Sequence, residues 1–310
     1  MSIMIENAKD AIYTAEDYAG NNFDEEISPG EFYTLENEIG NGKTAIVYEA
    51  VHPVHGRVAV KQFRPQYVYN GEHEAELLGL VQGNPSFPTF FDSWEDGSDV
   101  PEGERCFYIA MELLDGELLY LIDSMSDDEM ITCVNHLMNG LEHLHLNCGL
   151  VHFDLKPENI GYKINLDRSI EFKILDLGTA EKLANVGKPI FQKSVNKGDV
   201  VLTTSHYRSY EAIALDGTMH DEKADMWSLG CIMYEMYSKG DLLFDVRDTL
   251  SQAENMAILE KGLQTASLLS SSQVSLKSHI IMSALQKCIV KDKEHRFSVK
   301  QLREFMASFN

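Results

Sequence analysis

The chain is poor in cysteine, poor in basic residues relative to acidic ones, and free of long apolar runs. Its five cysteines (Cys106, Cys133, Cys148, Cys231 and Cys288) are scattered through 310 residues, odd in number, and form no C-x-x-C pair. That spacing argues against a disulfide framework and a cysteine-held metal, and the expected compartment is cytosol or nucleus. No apolar stretch approaches the ~20 residues that cross a bilayer. Residues 1–10 lack the basic-then-apolar pattern of a signal peptide. Basic residues number 26 against 49 acidic ones, a net charge of −23. A surface this negative repels nucleic acid and anionic membrane, so neither is an expected partner. The plain reading of the charge is solubility; the sharper one is a preference for Arg- or Lys-rich protein partners.

With 44% hydrophobic and 24% charged residues, what remains reads as an ordinary globular protein able to bury a core. A monomer is the default expectation. Residues 1–31 form an acidic leader with a single basic residue, Lys9. Residues 32–63 read as strands, with Gly-containing turns and the alternating run Val58-Ala59-Val60-Lys61. A helix is expected over 72–82 and strands over 87–94 and 107–112. Further helices are expected over 127–146, started by Ser126 and Asp127, and over 222–237, 248–262, 276–290 and 299–308. The picture is a small β-rich half followed by a larger helical half, without repeats.

Gly40-Asn41-Gly42 sits at a strand turn, where missing Cβ atoms let main-chain amides approach phosphates. Taken singly, a plain hairpin turn is about as good an account. Lys61 shares a strand face with the small Ala59 and could reach phosphates, although a lone strand lysine is more often simply exposed. The string His152-Phe153-Asp154-Leu155-Lys156-Pro157-Glu158-Asn159, followed by Asp176-Leu177-Gly178, carries more weight. Phosphoryl transfer to a hydroxyl needs a carboxylate to accept its proton and oxygen ligands for magnesium, a hard cation. Asp154, Asn159 and Asp176 supply that set.

The string resembles the catalytic loop and D-F-G segment of eukaryotic-type protein kinases. The resemblance extends from about Tyr33 to Phe305. It implies an α+β, two-lobed fold: a five-stranded antiparallel sheet with one helix over 32–114, then a mostly helical lobe over 115–310. It implies ATP and Mg2+ as cofactors, protein substrates, and serine/threonine specificity, the last from Lys156 and Thr204. Ile39, Gly40, Gly42, Val47 and Ala59 fall on nucleotide-contacting positions. Met111 resembles the residue that gates the site, before a hinge at Glu112 and Leu114, and Glu117 resembles the ribose-contacting carboxylate. Lys61 is implied on the α/β-phosphates, held by Glu74 rather than Glu72 or Glu76. Asp154 is implied as base, Lys156 on the γ-phosphate, and Asn159 and Asp176 on magnesium. Asp225 resembles a helix anchor, and Glu211 and Arg296 resemble a buried ion pair.

Some details lean toward the branch of CDC-like and SR-protein kinases, among them Tyr207-Arg208 and the aspartate-leucine-glycine form. Ser205 stands where that branch carries arginine. Ala45 replaces the third loop glycine and Tyr210 a proline. Phe153 replaces the arginine that, in the family, pairs with an activation-segment phosphate. Two rivals stay open: a pseudokinase scaffold that keeps the fold without turnover, and a small-molecule phosphotransferase.

Overall fold

The computed structural model describes residues 28–97, 99–183, 205–214, 221–269 and 275–309. The chain divides into two compact units. Of the described residues, one unit contains those up to Ala75 together with Phe90–Leu113; the other contains Glu76–Thr89 and those from Leu114 on.

The first unit is built on five antiparallel strands: β1 (Thr34–Asn41), β2 (Ala45–His52), β3 (Gly56–Phe63), β4 (Phe90–Glu95) and β5 (Phe107–Glu112). Their order is β1-β2-β3-β5-β4. Alternation along β3 sends Val58 and Val60 to one face, where both are fully buried with Tyr33, Ala50 and Ala110. Helix α1 (Val68–Val81) buries Gly71, Glu74, Ala75, Leu78 and Val81, one stripe at helical spacing, while Glu72 and Glu76 are exposed. The helix starts four residues earlier than its sequence suggests. Gly71, a poor helix former, reads as a boundary. In the fold it is internal, because a Cβ there would meet the rings of Phe107 and Phe63 at 2.6 and 2.8 Å.

The second unit is mostly helical: α2 (Asp127–Glu142), α3 (Tyr210–Ala214), α4 (Lys223–Ser238), α5 (Gln252–Leu268), α6 (Leu276–Cys288) and α7 (Val299–Ala307). It also holds short strands: β6 (Gly116–Glu117), β7 (Leu150–Val151), β8 (Ile160–Ile164), β9 (Ile170–Ile174) and β10 (Glu181–Lys182). Strands β6-β8-β9 form one antiparallel sheet, and β7 pairs with β10. A reciprocal capping box fixes the start of α2, Ser126 with Glu129, and another that of α5, Ser251 with Glu254. The second box corrects the expected start at 248. Residues 248–251 approach the helix as loop, and the helix runs past Gly262, where the Phe244 ring occupies the space of a Cβ. The core of this unit centres on α4, whose Trp227 is fully buried and stacked on Phe244 at 5.0 Å. Among the described residues, no helix is long and apolar enough to cross a membrane.

Candidate active site

In the first unit, Lys61 comes from β3 and Glu74 from the buried stripe of α1. The Lys61 Nζ lies 2.8 Å from each Glu74 carboxylate oxygen. The Glu74 side chain is 3% exposed and that of Lys61 12%, so the pair is nearly enclosed, the lysine being the more exposed partner. Register explains why Glu74 and neither acidic neighbour makes the contact, since Glu72 and Glu76 face outward. Ala59 pairs with Met111 and Val58 with Glu112 across β3 and β5. Ile39 is exposed on β1, and Gly40 pairs with Val47 where β1 turns into β2. A Cβ on Gly40 or Gly42 would meet nothing closer than 3.5 Å, and neither glycine has positive φ. The chain itself therefore does not demand glycine at either position.

In the second unit the residues around Asp154 form one hydrogen-bonded cluster. Asn159 Nδ2 donates to the Asp154 carbonyl at 2.8 Å and to its Oδ2 at 3.2 Å. Lys156 Nζ lies 2.9 Å from the same Oδ2. With its amide nitrogen so engaged, Asn159 presents its amide oxygen as an acceptor. His152 Nδ1 accepts from the Asp154 N–H at 3.2 Å, so the neutral ring carries its proton on Nε2, which donates to the Leu175 carbonyl at 2.9 Å. The Asn159 carbonyl in turn accepts from the Leu175 N–H at 2.8 Å. Asp176 is exposed, in left-handed conformation (φ 58°), and its Oδ1 accepts from the Gly178 N–H at 3.3 Å. An amide oxygen and carboxylate oxygens are a donor set suited to Mg2+.

Phe153 is also left-handed, with φ 64°. A residue with a Cβ is rarely found there unless its surroundings hold it. Asp225, completely buried on α4, does the holding. Its Oδ1 accepts from the Phe153 N–H at 2.9 Å, and its Oδ2 from the His152 N–H at 2.8 Å. His145 Nε2 lies 2.8 Å from the same Oδ2. Burial pushes this carboxyl up, but the hydrogen bond and charge of His145 and the main-chain hydrogen bond from His152 outweigh it and hold the group below its ordinary range. His145 was not legible from the sequence, where it is one more residue of a helical pattern, 80 positions from its partner.

Glu211 and Arg296 are joined by two parallel contacts of 3.0 and 2.9 Å, both side chains buried. Tyr210, in place of proline, packs edge-on against Trp227 and its hydroxyl donates to Glu260 at 3.3 Å. Thr204 lies outside the described residues. Gly116 and Glu117 pair with β8, and Leu114 packs where a Gly161 Cβ would stand.

Sequence reasoning also missed a group of acids around Glu158 in the 152–159 string. Burial and the charge of Glu158 raise the Glu117 carboxyl above its ordinary range. Burial pushes Glu235 on α4 up to about 7, against a hydrogen bond from Tyr207, with Glu158 again adding to the rise. The Tyr207 hydroxyl donates to Glu235 at 2.7 Å. Glu158 Oε2 is buried without a hydrogen-bond partner. Glu158 was visible as part of the string, but nothing in the sequence links it to positions 117 and 235.

Elsewhere, His52, His55 and Asp92 bring ligand-type atoms within 4.8 Å of one another. His52 Nδ1, however, accepts from the main-chain N–H groups of Val54 and His55, each at 3.2 Å. The neutral ring therefore carries its proton on Nε2 and has no lone pair left for a cation. This is a packed aromatic patch, with the two histidines stacked at 4.5 Å.

An antiparallel sheet with one helix, a helical unit, and these two charge clusters define a known class. Residues 33–306 match the protein kinase domain family, and the chain belongs to it. It is similar to the stress-activated protein kinase JNK of Suberites domuncula, 31% identical over 232 residues, covering 71% of this chain and 58% of the relative. The JNK of Drosophila melanogaster is 32% identical over 227 residues, covering 73% and 52%. A putative ribosomal protein S6 kinase alpha-2 of Caenorhabditis elegans is 27% identical over 223 residues, covering 69% and 28%. The chain thus spans between 28% and 58% of the length of these relatives. Protein kinases as a family use ATP and Mg2+.

Proposed function

We propose that this chain is an ATP- and magnesium-dependent serine/threonine protein kinase. The observation that carries the reading is the cluster in which Lys156 and Asn159 both bind the Asp154 carboxylate. A carboxylate held between a cation and an amide is fixed in orientation, as a base for a substrate hydroxyl must be. Asp154 then accepts the hydroxyl proton and Lys156 offsets charge on the transferred phosphoryl group. Asn159 and Asp176 are the magnesium ligands; the ion, when bound, neutralises phosphate charge. Lys61, oriented by Glu74, binds the α/β-phosphates. Ile39, Val47, Ala59, Met111 and Glu112 in the first unit, and Leu114 and Glu117 in the second, are the residues assigned to the rest of the nucleotide. Because the protein itself does not require glycine at 40 and 42, the space beside them suits phosphate oxygens.

The preferred substrates are Arg- or Lys-rich. The net charge of −23 supports this, and the acids at Glu117, Glu158 and Glu235 support it more specifically. A buried carboxylate oxygen without a donor is costly, and a substrate guanidinium or ammonium would satisfy it. The lobes span 32–114 and 115–310 behind the acidic leader of 1–31, and the branch leaned toward is that of CDC-like and SR-protein kinases. Cytosol or nucleus is the proposed setting. Purified protein given radiolabelled ATP and a degenerate peptide array should label basic serine or threonine peptides, and Asp154→Asn should not. Equal labelling by that variant overturns the reading.

A further inference from the structure

Strand β9 delivers the chain into Leu175 and Asp176, and its second half is tied down residue by residue. The Phe172 N–H donates to His136 Nδ1 at 3.1 Å. The Ile174 N–H donates to the Ser86 carbonyl at 2.7 Å. Between them Lys173, only 6% exposed, sends Nζ to the carbonyls of Pro85 and Phe87, at 3.1 and 3.4 Å. Ser86 completes the stitch, its hydroxyl donating to the His136 carbonyl of α2 at 2.8 Å. The turn between α1 and β4 is thus bound both to β9 and to α2.

Burying an ammonium is costly unless its donors are met, and an apolar side chain of the same length would fill this space without that cost. What the apolar chain could not do is draw the carbonyls of residues 85 and 87 toward one point on β9. Three residues beyond Lys173 stands Asp176, left-handed and capped by its own Oδ1 on the Gly178 N–H, so its placement follows the strand that delivers it. We propose that Lys173 is a positioning residue: by clamping the 85–87 turn onto β9 it fixes the strand that presents Asp176. Buried against the 85–87 turn, it acts through Asp176 and not on nucleotide or substrate directly. The inference rests on the reading of Asp176 as a magnesium ligand.

Three variants of the full chain test it: Lys173→Met, Lys173→Arg, and Ile281→Val as a core change away from the clamp. Lys173→Met should speed amide hydrogen exchange at Ile174, Leu175 and Gly178 about tenfold more than in the rest of the second unit. It should raise the half-activating Mg2+ concentration about fivefold and lower kcat about 10- to 100-fold, with peptide KM unchanged. Lys173→Arg, which keeps charged donors, should recover most of both effects, and Ile281→Val should show neither. If Lys173→Met does not fold, Ser86→Ala loosens the same turn and should shift exchange and Mg2+ requirement the same way, about two- to fivefold. Exchange that rises no more at 174–178 than elsewhere, or an unmoved Mg2+ requirement beside a fallen kcat, overturns the clamp. Should the wild-type protein show no Mg2+-dependent transfer, the kinase reading fails, and the exchange comparison alone decides for or against Lys173.

Discussion

Two buried ion pairs, one in each unit, look alike by distance and differ in what they leave available. Arg296 spends every donor it has. Nε binds the Val290 carbonyl, Nη1 binds Glu211 and the Lys223 carbonyl, and Nη2 binds Glu211 and the Val290 carbonyl. Its side chain is 0% exposed and lies 5.0 Å over the Trp227 ring. Burial alone raises the Glu211 carboxyl, but the Arg296 hydrogen bonds and charge overcome it and hold it below the ordinary range. Lys61 is a point charge, 12% exposed, set on both oxygens of one glutamate. A saturated planar fork serves structure, whereas an oriented ammonium on a partly exposed side chain can serve a ligand.

The largest expected effect tests the open side of that comparison. Lys61→Met and Asp154→Asn should each lower kcat/KM by about a thousandfold or more, because each removes charge or alignment present at the transition state. The melting temperature should move by no more than a few degrees for Asp154→Asn. Lys61→Met strands the buried Glu74, but a buried carboxyl can relieve itself by taking up a proton, which a guanidinium cannot, so its loss should stay below that of the sealed pair. Asp154→Asn should still bind ATP in a direct binding assay. The sealed pair should behave in reverse. Glu211→Ala leaves a guanidinium buried and unpaired, at a cost of about 3–5 kcal/mol. In a domain of this size that lowers the melting temperature by about 10 °C. Arg296→Lys should not rescue it, since lysine cannot reproduce the fork. If Lys61→Met costs as much melting temperature as Glu211→Ala, the distinction between the pairs is lost.

A smaller effect belongs to the acids near the catalytic string. Glu158→Gln and Glu235→Gln should raise KM for Arg-rich peptides about 5- to 10-fold and leave acidic peptides unaffected. Salt should erode the difference as the screening length shortens from about 10 Å toward smaller values. The pH dependence has a definite sign. Glu235, pushed up to about 7, is ionised above that pH and neutral below it. KM for basic peptides should therefore rise as pH falls from 8 to 6 in the wild type, and Glu235→Gln should flatten that slope. Stability runs the other way. The folded state holds the proton more tightly than the unfolded one, so ionisation costs stability between the unfolded value near 4.5 and about 7. Relative to wild type, Glu235→Gln should gain melting temperature as pH rises through that window. An array with equal rates for basic and acidic flanks, indifferent to salt, removes the electrostatic proposal and leaves the kinase reading standing.

What was legible in the sequence was whatever local pattern fixes. The alternation through Val58, Ala59, Val60 and Lys61 shows the strand faces, and the spacing of Glu74 from Leu78 and Val81 shows its inward register. The string from His152 to Asn159 and the aspartate at 176 stand out because rare residue types occur in a fixed order. Where close packing overrules propensity, the sequence misleads. Gly71 and Gly262 read as ends of helices, yet both sit inside helices against phenylalanine rings. Long-range burial was invisible. Nothing near position 145 announces that this histidine supports the aspartate at 225, and nothing near 235 announces a carboxyl shifted to about 7.

The smallest expected effect concerns phosphorylation, and it compares two of the left-handed residues, Phe153 and Asp176. Asp225 holds Phe153 from outside, whereas Asp176 caps its own turn on the Gly178 N–H, and only Asp176 offers a charge. Phe153 donates its N–H to Asp225 at 2.9 Å, and its side chain cannot neutralise a phosphate. Phosphatase-treated protein should therefore keep its turnover within about threefold, as should Ser194→Ala and Thr203→Ala. Thr179→Ala should show the largest change of the three alanine variants, since its hydroxyl donates to the His152 carbonyl at 3.0 Å and its loss loosens the catalytic string. Phe153→Arg sharpens the test. The backbone there already tolerates a residue with a Cβ, so arginine can be accommodated, and it restores a cation able to read a phosphate. That variant should acquire phosphatase sensitivity that the wild type lacks. A loss of about a hundredfold on dephosphorylating the wild-type protein would mean that another basic side chain reads an activating phosphate, and that position 153 does not decide the matter.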